Sequence, residues 1–253
     1  MSVLFTAPTT YRAIVPKVPD LDLSSLRRCV SAGETLPKPT WEAFHDATGI
    51  EIIDGIGATE LLHIFISAAD DDIRPGSTGR PVPGFTAEVQ GPDGRPVPDG
   101  EIGRLAVKGP VGCRYLADER QLSYVQNGWN ITGDTYLRDS DGYFWFQARS
   151  DDMIISSGYN IAGPEVEAAL LRHPDVLECG VVGEPDPDRG MLVSAFVVLG
   201  EGKPRSDETV KELQDFVKQE IAPYKYPRRI TFVDELPRTN TGKLQRFRLR
   251  EPT

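Results

Sequence analysis

A charged segment near the middle of the chain separates two different sequence patterns. Residues 149–152 read Arg-Ser-Asp-Asp and lead into the apolar run Met153–Ile155. Three apolar residues are enough for one buried strand, whereas the charges before them belong at a surface or a junction. In isolation, a solvated turn that enters a strand is the better interpretation of the segment. Because the patterns on its two sides differ, we predict a boundary at Asp151, with domains over residues 1–150 and 151–253.

The pattern over residues 1–78 predicts a βα unit. Apolar runs at 28–31 and 50–53 are typical of buried strands, and between them Pro39 opens a helix. The glycine-rich stretch Asp54–Glu60 follows the second run. We predict that this stretch is a loop at the carboxyl end of a strand, where α/β sheets bind ligands.

The patterns that follow predict two further parts. Over residues 79–150, turn signals such as Pro92-Asp93-Gly94 separate short alternating runs, which indicates a small antiparallel β-barrel or a curled sheet. After the boundary, helix starts at Gly163 and Ser206 alternate with strand patterns. The fold class is therefore α/β, with a compact α+β domain at the C-terminal end.

The composition restricts the partners and the compartment. A formal net charge of −10, from 38 acidic and 28 basic residues, argues against nucleic acid or an anionic membrane as the main partner. No apolar run is long enough to span a bilayer. The spacing of Cys29, Cys113 and Cys179 fits neither a disulfide framework nor a zinc site, which favours a cytoplasmic protein.

The stretch Asp54–Glu60 offers groups that suit phosphate chemistry. Its glycines free backbone N–H groups, Thr59 adds a hydroxyl, and Glu60 adds a carboxylate for Mg²⁺ held jointly with a phosphate. The alternative is a strand-to-helix turn with Thr59 as its cap. The residues themselves leave these two interpretations about even.

Three other positions carry weaker signals. Asp134 lies in a Thr-Gly-Asp sequence, which predicts a tight turn, and it could accept hydrogen bonds from ribose hydroxyls with Arg149 as a donor beside it. Lys243 follows a glycine and could bring a point charge to a phosphate, although a solvated tail lysine is the alternative. His63 is flanked by apolar residues, which favours a core position over a catalytic one.

Taken in order, these stretches resemble the adenylate-forming superfamily of acyl- and aryl-CoA ligases. The segments 54–65 and 156–167 look most like benzoate- and 2-aminobenzoate-CoA ligases. The matching stretches are residues 7–9, 31–34, 55–60, 132–134, 149–152 and 237–243. The resemblance implies that a carboxylic acid reacts with Mg·ATP to form an acyl-adenylate, which CoA then converts to a thioester.

The resemblance also implies roles for individual residues. Thr59 would hold the α-phosphate, Glu60 the Mg²⁺, and Lys243 would stabilise charge in adenylation. Asp151 would be the hinge of a mobile small domain. The residues that would bind the nucleotide are Gly33, Glu34, Asp54, Gly55, Asp134 and Arg149. Those that would bind CoA are Gly158, Tyr159 and Asn160. The resemblance implies an aromatic acyl group, which would be bound by Ile56, Gly57 and His63, with Gly55 beside them.

One part of the family pattern has no counterpart in these residues. The main phosphate loop and about half of the large domain would lie upstream, so the chain resembles the C-terminal half of a ligase. We therefore expect it to be inactive alone, and to be covered by an N-terminal half or by a second copy in a homodimer. The alternatives are a non-catalytic module that binds a nucleotide or CoA, and an orphan fragment.

Overall fold

The computed structural model describes residues 1–112, 114–239 and 242–250. The chain divides into two compact units, one comprising residues 1–150 and the other beginning at Asp151. The division falls at the predicted boundary, while the hinge role of Asp151 stays a prediction. The α/β fold class is confirmed, because each unit combines helices with a sheet.

Within residues 1–112, the first sheet has the strand order β1-β2-β3-β4-β5. The first three strands are parallel and the last two are antiparallel to their neighbours. Two helices cover it through a core that includes Tyr11, Trp41 and Phe44. The elements are β1 (Val3–Thr6), α1 (Pro8–Ile14), β2 (Arg28–Ala32), α2 (Lys38–Thr48), β3 (Ile52–Gly57), β4 (Ile64–Ser67) and β5 (Arg80–Pro81).

The helix ends follow proline and glycine. Helix α2 ends at Gly49, whose φ of 69° is the left-handed conformation that glycine adopts without a Cβ clash. The sequence pattern predicts this end correctly. A short helix over residues 11–15 capped by a threonine is wrong, because α1 begins at Pro8, whose ring fixes φ near the helical value.

Strand β3 corrects the predicted glycine-rich loop. The strand continues through Asp54–Gly57 and pairs with β4. A Cβ at Gly55 would lie 2.9 Å from the Ile64 side chain, and one at Gly57 would lie 2.7 Å from the His63 carbonyl oxygen. The glycines therefore permit close contact between strands, rather than a turn.

A second sheet occupies the rest of the first unit. Its strands are antiparallel in the order β10-β9-β7-β6, with β8 paired to β9. The described residues show no pairing between β6 and β10, so of the two predicted alternatives the strands form an open sheet and not a closed barrel. The elements are β6 (Thr86–Gln90), β7 (Ile102–Lys108), α3 (Arg120–Tyr124), β8 (Val125–Gln126), β9 (Trp129–Arg138) and β10 (Phe144–Arg149).

The second unit is built on a sheet of order β12-β11-β14-β13, in which β15 pairs parallel to β14. Helices α4 and α5 bury Val166, Leu213 and Val217 against it. The elements are β11 (Ile154–Ser156), β12 (Tyr159–Ile161), α4 (Gly163–Leu170), β13 (Val176–Asp186), β14 (Gly190–Leu199), α5 (Asp207–Glu220), β15 (Arg229–Phe232) and α6 (Arg246–Leu249).

Two of the three cysteines lie in the described part of the chain. Cys29 and Cys179 are buried, and Cys179 Sγ donates to the Glu167 carbonyl at 3.5 Å, while Cys113 lies outside the described residues. No helix in the described part of the chain combines the length and the apolar character that crossing a bilayer requires.

Candidate functional site

The ends of β2 and β3 bring four of the predicted nucleotide-binding residues together. These parallel strands pair with Ser31 opposite Asp54 and Ala32 opposite Gly55. Gly33 and Glu34 follow β2 directly, and Gly33 has a φ of 94° that redirects the chain there. The stretches 33–34 and 54–55 thus lie side by side at the carboxyl edge of the parallel part of the sheet.

Asp54 carries an unusual carboxyl group. Its Oδ1 atom and the Ser31 hydroxyl are both inaccessible to solvent, and neither has a hydrogen-bond partner within the described residues. Burial raises the pKa of Asp54 to about 7, against the opposite effects of the Gly55 backbone N–H and of the neighbouring Ser31 hydroxyl, whose contact with the carboxyl group falls short of a regular hydrogen bond. Its backbone carbonyl accepts a 2.6 Å hydrogen bond from Ser67. The backbone is therefore fixed, while the carboxyl group has unused hydrogen-bonding capacity.

The cavity beside Asp54 is too small for an organic ligand. Its volume of about 10 Å³ is room for roughly one water molecule. Its walls include Trp41, Ile52, Asp54, Ser77 and Thr78. A nucleobase would therefore have to approach Asp54 from the open edge formed by Gly33 and Gly55.

Residues 59–61 form a single 3₁₀ turn directly after β3. The residue before the turn is Ala58, and no side chain caps it, so the alternative in which Thr59 is a cap is wrong. Thr59 is exposed, while Glu60 is half-buried and accepts a hydrogen bond from the phenol of Tyr115. Hydroxyl and carboxylate therefore lie one residue apart at the same strand end.

The metal-binding capacity of this turn is limited to one carboxylate. Within residues 1–112, 114–239 and 242–250, no group of three His, Cys, Asp or Glu could hold a metal ion. Mg²⁺ often keeps several waters and binds through one or two carboxylates together with substrate phosphates. Glu60 fits that mode, and it fits no site in which the protein alone would hold the ion.

Asp134 and Arg149 face each other across β9 and β10. They pair in register, and Arg149 Nη1 lies 3.3 Å from Asp134 Oδ1. The predicted tight turn around Asp134 is wrong, because the residue lies inside β9, where the pairing with β7 skips. Gly133, with a φ of 80°, provides the bulge. The bulge changes the direction of the strand beside Asp134, whose carboxylate is mostly buried.

A buried tyrosine links the two sheets at this place. The hydroxyl of Tyr136 is 3.3 Å from that of Thr78, and burial raises the pKa of Tyr136 well above its usual range. The charges of Asp134 and Asp54 raise it further.

The predicted acyl-pocket residues fall into two groups. Gly57 and His63 are in contact where β3 meets β4, and the His63 ring stacks on exposed Phe5 at a centroid distance of 6.4 Å. His63 is thus not the core residue that its apolar flanks predict. Ile56, in contrast, is half-buried and packs against a cluster that includes Phe65 and Leu105.

The second unit holds the remaining predicted residues. Gly158 has a φ of 83° in the turn between β11 and β12, and Tyr159 stacks on Tyr224 at 4.4 Å between ring centroids. Asn160 is exposed on β12. Lys243 is exposed, and its ammonium makes no ion pair with any described residue, while Thr241 lies outside the described residues. The Gly158 turn and Lys243 therefore both present groups to solvent.

Comparison with known proteins identifies the family. The family model described as AMP-binding enzyme matches residues 1–115, and that described as AMP-binding enzyme C-terminal domain matches residues 165–243. This chain belongs to the AMP-binding enzymes. The first match of this AMP-binding chain contains every candidate residue from Gly33 to His63, and the second contains Lys243.

Individual relatives agree with the family models. The acyl-CoA ligase YtcI of Bacillus subtilis is 44% identical over 99% of this chain and 49% of its own length. The benzoate–CoA ligase of Thauera aromatica is 40% identical over 98% of this chain and 48% of its own length. The crystal structure of the anthranilate CoA ligase AuaEII with anthranoyl-AMP is 44% identical, covering 98% of this chain and 49% of that one, with a TM-score of 0.92. The chain therefore spans about half the length of these relatives.

Two tyrosines of the site are absent from the sequence-based prediction. Tyr115 is 55 residues from Glu60, and Tyr136 is 58 residues from Thr78. Local spacing carries no signal for contacts of this length. Tyr136 does follow Asp134 by two residues on a strand, so the alternation of β9 would have placed the two on one face.

Proposed function

We propose that this chain supplies the C-terminal part of an AMP-forming ligase that joins an aromatic carboxylic acid to CoA. The observation that carries the proposal is the convergence, in one compact unit, of Asp54 on β3, Glu60 in the turn that follows β3, and Asp134 inside β9. Relatives whose names specify benzoate and anthranilate support the aromatic class of acid. The convergence supports a nucleotide-binding role without depending on those names.

The proposed reaction has two steps. A carboxylate oxygen of the acid attacks the α-phosphorus of ATP, so that a new P–O bond forms and pyrophosphate leaves. The sulfur of CoA then attacks the acyl carbon and forms a C–S bond, while the C–O bond to AMP breaks. The thiol proton passes to the solvent. Binding and orientation of three substrates is therefore the main task of the protein.

Each of the first-unit residues has a defined part in this proposal. The carboxyl group of Asp54 would accept from the exocyclic amino group of adenine, between Gly33, Glu34 and the Gly55 backbone. Asp134 would accept from ribose hydroxyls, held by Arg149. Thr59 would donate to the α-phosphate. Mg²⁺, held by Glu60 and the phosphates, would neutralise phosphate charge.

The second unit would contribute Lys243 to the first step and the Gly158 turn to the second. An exposed ammonium on a turn can approach the α-phosphate and stabilise the charge that develops there. Gly158, Tyr159 and Asn160 would contact the pantetheine arm of CoA. The acyl group would contact Gly57 and His63, with Ile56 at the base of the pocket through its contact with the core.

A joined ligase tests the proposal. In it, residues 1–253 follow the N-terminal half of the Thauera aromatica benzoate–CoA ligase, and the assays contain Mg·ATP, CoA and benzoate, 2-aminobenzoate or acetate. We expect pyrophosphate release and aryl-CoA formation with the aromatic acids. AMP binding to residues 1–253 alone, and its loss in Asp134→Ala, is measured in parallel by calorimetric titration. Nucleotide binding without acid-dependent pyrophosphate release would favour a non-catalytic nucleotide-binding module instead.

A further inference from the structure

The segment that carries Lys243 is fixed on both sides by buried or half-buried ion pairs. On one side, Arg246 donates from Nη2 to both carboxylate oxygens of Glu167 at 2.7 Å. On the other side, Arg238 donates to Glu178 at 2.6 Å. The Glu167 and Arg246 side chains are only 12% and 24% exposed, so solvent screens this pair little.

Glu167 has a second contact that fixes its own position. Its Oε1 accepts a 2.8 Å hydrogen bond from the backbone N–H of Val181 on β13. The carboxylate is thus held between helix α4, strand β13 and Arg246. Both contacts come from one guanidinium nitrogen, so Arg246 lies against the two carboxylate oxygens in a charge-assisted hydrogen bond. Glu167 therefore connects strand β13 to Arg246, three residues after Lys243, and holds this part of the chain against the sheet.

Hydrogen bonds hold Thr239, Gly242 and Lys243, which lie between the two arginines. Arg238 Nη1 donates to the Gly242 carbonyl at 2.8 Å, and the Thr239 N–H donates to the Lys243 carbonyl at 2.8 Å. The Lys243 N–H donates in turn to the Thr239 hydroxyl at 3.1 Å. The backbone of Lys243 is therefore fixed, although its side chain is exposed.

Glycine at position 180 lets the same segment lie close to the sheet. A Cβ there would be 2.9 Å from Leu249 Cδ1 and 3.1 Å from Leu244 Cδ2. Leu249 is buried with Val182 and Leu236 in a small cluster on this side of β13. Apolar packing and two ion pairs thus hold one short segment, from which the Lys243 ammonium extends into solvent.

We propose that Glu167 is a positioning residue for Lys243, acting through Arg246, with Glu178 and Arg238 as its counterpart on the other side. The proposal rests on the adenylation role proposed for Lys243. Its expected signature is selective: loss of Glu167 impairs adenylate formation and spares thioester formation from acyl-adenylate, because Lys243 acts on charge that arises only in the first step.

Glu167→Gln is the sharpest variant, because glutamine keeps an acceptor for the Val181 N–H and loses the charged pair with Arg246. Arg246→Lys is the second variant, since it keeps the positive charge and loses the planar guanidinium group. Glu220→Gln is the matched control. It breaks the 2.5 Å ion pair of Glu220 with Arg172 in the same unit, away from the Lys243 segment.

The first readout needs no enzyme activity. Hydrogen–deuterium exchange of residues 1–253 is compared at the backbone amides of Thr239 and Lys243. We expect exchange about tenfold faster in Glu167→Gln and unchanged in Glu220→Gln, because a hydrogen bond to a charged group has been lost. Unchanged exchange in both Glu167→Gln and Arg246→Lys would overturn the proposal.

The second readout separates the two half-reactions in the joined ligase. We expect adenylation to fall roughly 10- to 100-fold in Glu167→Gln, with a smaller fall in Arg246→Lys, because small displacements of a catalytic group are costly. Thioester formation from supplied acyl-adenylate should stay near that of the control. Equal loss of both half-reactions would show a merely structural role. Where Lys243→Ala itself leaves adenylation intact, the role proposed for Lys243 fails, and the exchange data alone decide whether Glu167 anchors the segment.

Discussion

The phenol of Tyr115 donates a hydrogen bond to Glu60 across 55 residues of sequence. Tyr115 is held in turn by its own loop: its N–H donates to Gln121 Oε1 at 2.7 Å, and its ring meets that of Tyr124 edge-on at 5.8 Å. The carboxylate proposed to bind Mg²⁺ therefore has a fixed orientation before any ligand is bound.

Tyr115→Phe should weaken the use of Mg²⁺ by the joined ligase. The variant keeps the ring contacts and removes the donor that orients Glu60, and loss of such a partner typically costs about 10- to 100-fold in metal affinity. The measurement is the Mg²⁺ dependence of ATP binding and of pyrophosphate exchange. Tyr124→Phe, which removes the hydroxyl of the neighbouring ring, is the control. An equal Mg²⁺ requirement in the two variants would contradict the role of Tyr115.

Asp54 should make the first unit less stable as the pH rises. Its pKa is raised from an ordinary 3.8 to about 7 by burial, so the folded state holds the proton more tightly than the unfolded state. The stabilising contribution of Asp54 to the free energy of unfolding is fully present below about pH 4. It is lost as the pH rises through about 7. A shift of about three units corresponds to at most ~4 kcal/mol.

Asp54→Asn should remove this dependence. We expect the variant to match the natural chain at or below about pH 4 and to have a higher unfolding midpoint at about pH 8, because asparagine cannot ionise. Thermal unfolding of residues 1–253 across this range measures the difference. The opposite result would be an unfolding midpoint of the natural chain that rises with pH relative to that of Asp54→Asn. It would show that the Asp54 carboxyl group ionises without destabilising the fold.

Lys243→Ala should abolish adenylate formation by the joined ligase while largely sparing the second step. Removing a group that stabilises developing charge typically costs about 10²- to 10³-fold in rate. Pyrophosphate exchange reports the first step, and thioester formation from supplied acyl-adenylate reports the second. An equal loss in both assays would assign Lys243 a structural task.

Much of this fold can be predicted from residue patterns, because several signals are local. Pro39 and Gly49 indicate the extent of α2, and apolar alternation indicates β6 and β7. Each signal reports the conformation of a few consecutive residues, for which backbone preference and the hydrophobic pattern agree.

The errors arise where glycine serves a contact distant in sequence. Gly57 lies in a strand because the His63 backbone approaches it, and Gly133 lies in a bulge opposite β7. Both glycines read locally as turn residues. The contact of Tyr115 with Glu60 is invisible for the same reason, because its partners meet only in the folded chain.

Asp151→Pro should restrict the transition between half-reactions. Proline fixes φ near −65° and removes the backbone N–H, so a pivot at this residue would be confined to one conformation. We expect one half-reaction of the joined ligase to be retained and the other to fall. Pyrophosphate exchange and thioester formation are assayed separately, with Asp152→Ala as a neighbouring control that leaves φ free. If both reactions persist in Asp151→Pro, the pivot lies elsewhere.

Residues 1–253 alone should neither adenylate a carboxylate nor form an acyl-CoA. Glu60 and Thr59 would contact one face of a triphosphate, and we expect the β- and γ-phosphates to be oriented by the phosphate loop that the resemblance places upstream. Strand β1 is also an edge of the first sheet, with Val3 and Phe5 about half exposed and Leu62 75% exposed. An unpaired edge with apolar side chains favours association with another chain. We therefore expect a concentration-dependent dimer in sedimentation velocity, and a shift towards monomer in Phe5→Lys.

The activity test of residues 1–253 alone is pyrophosphate release with Mg·ATP and benzoate or 2-aminobenzoate, with and without CoA. Turnover above that of Lys243→Ala would show that residues 1–253 are sufficient for the reaction, because the lysine variant controls for contaminating ligases.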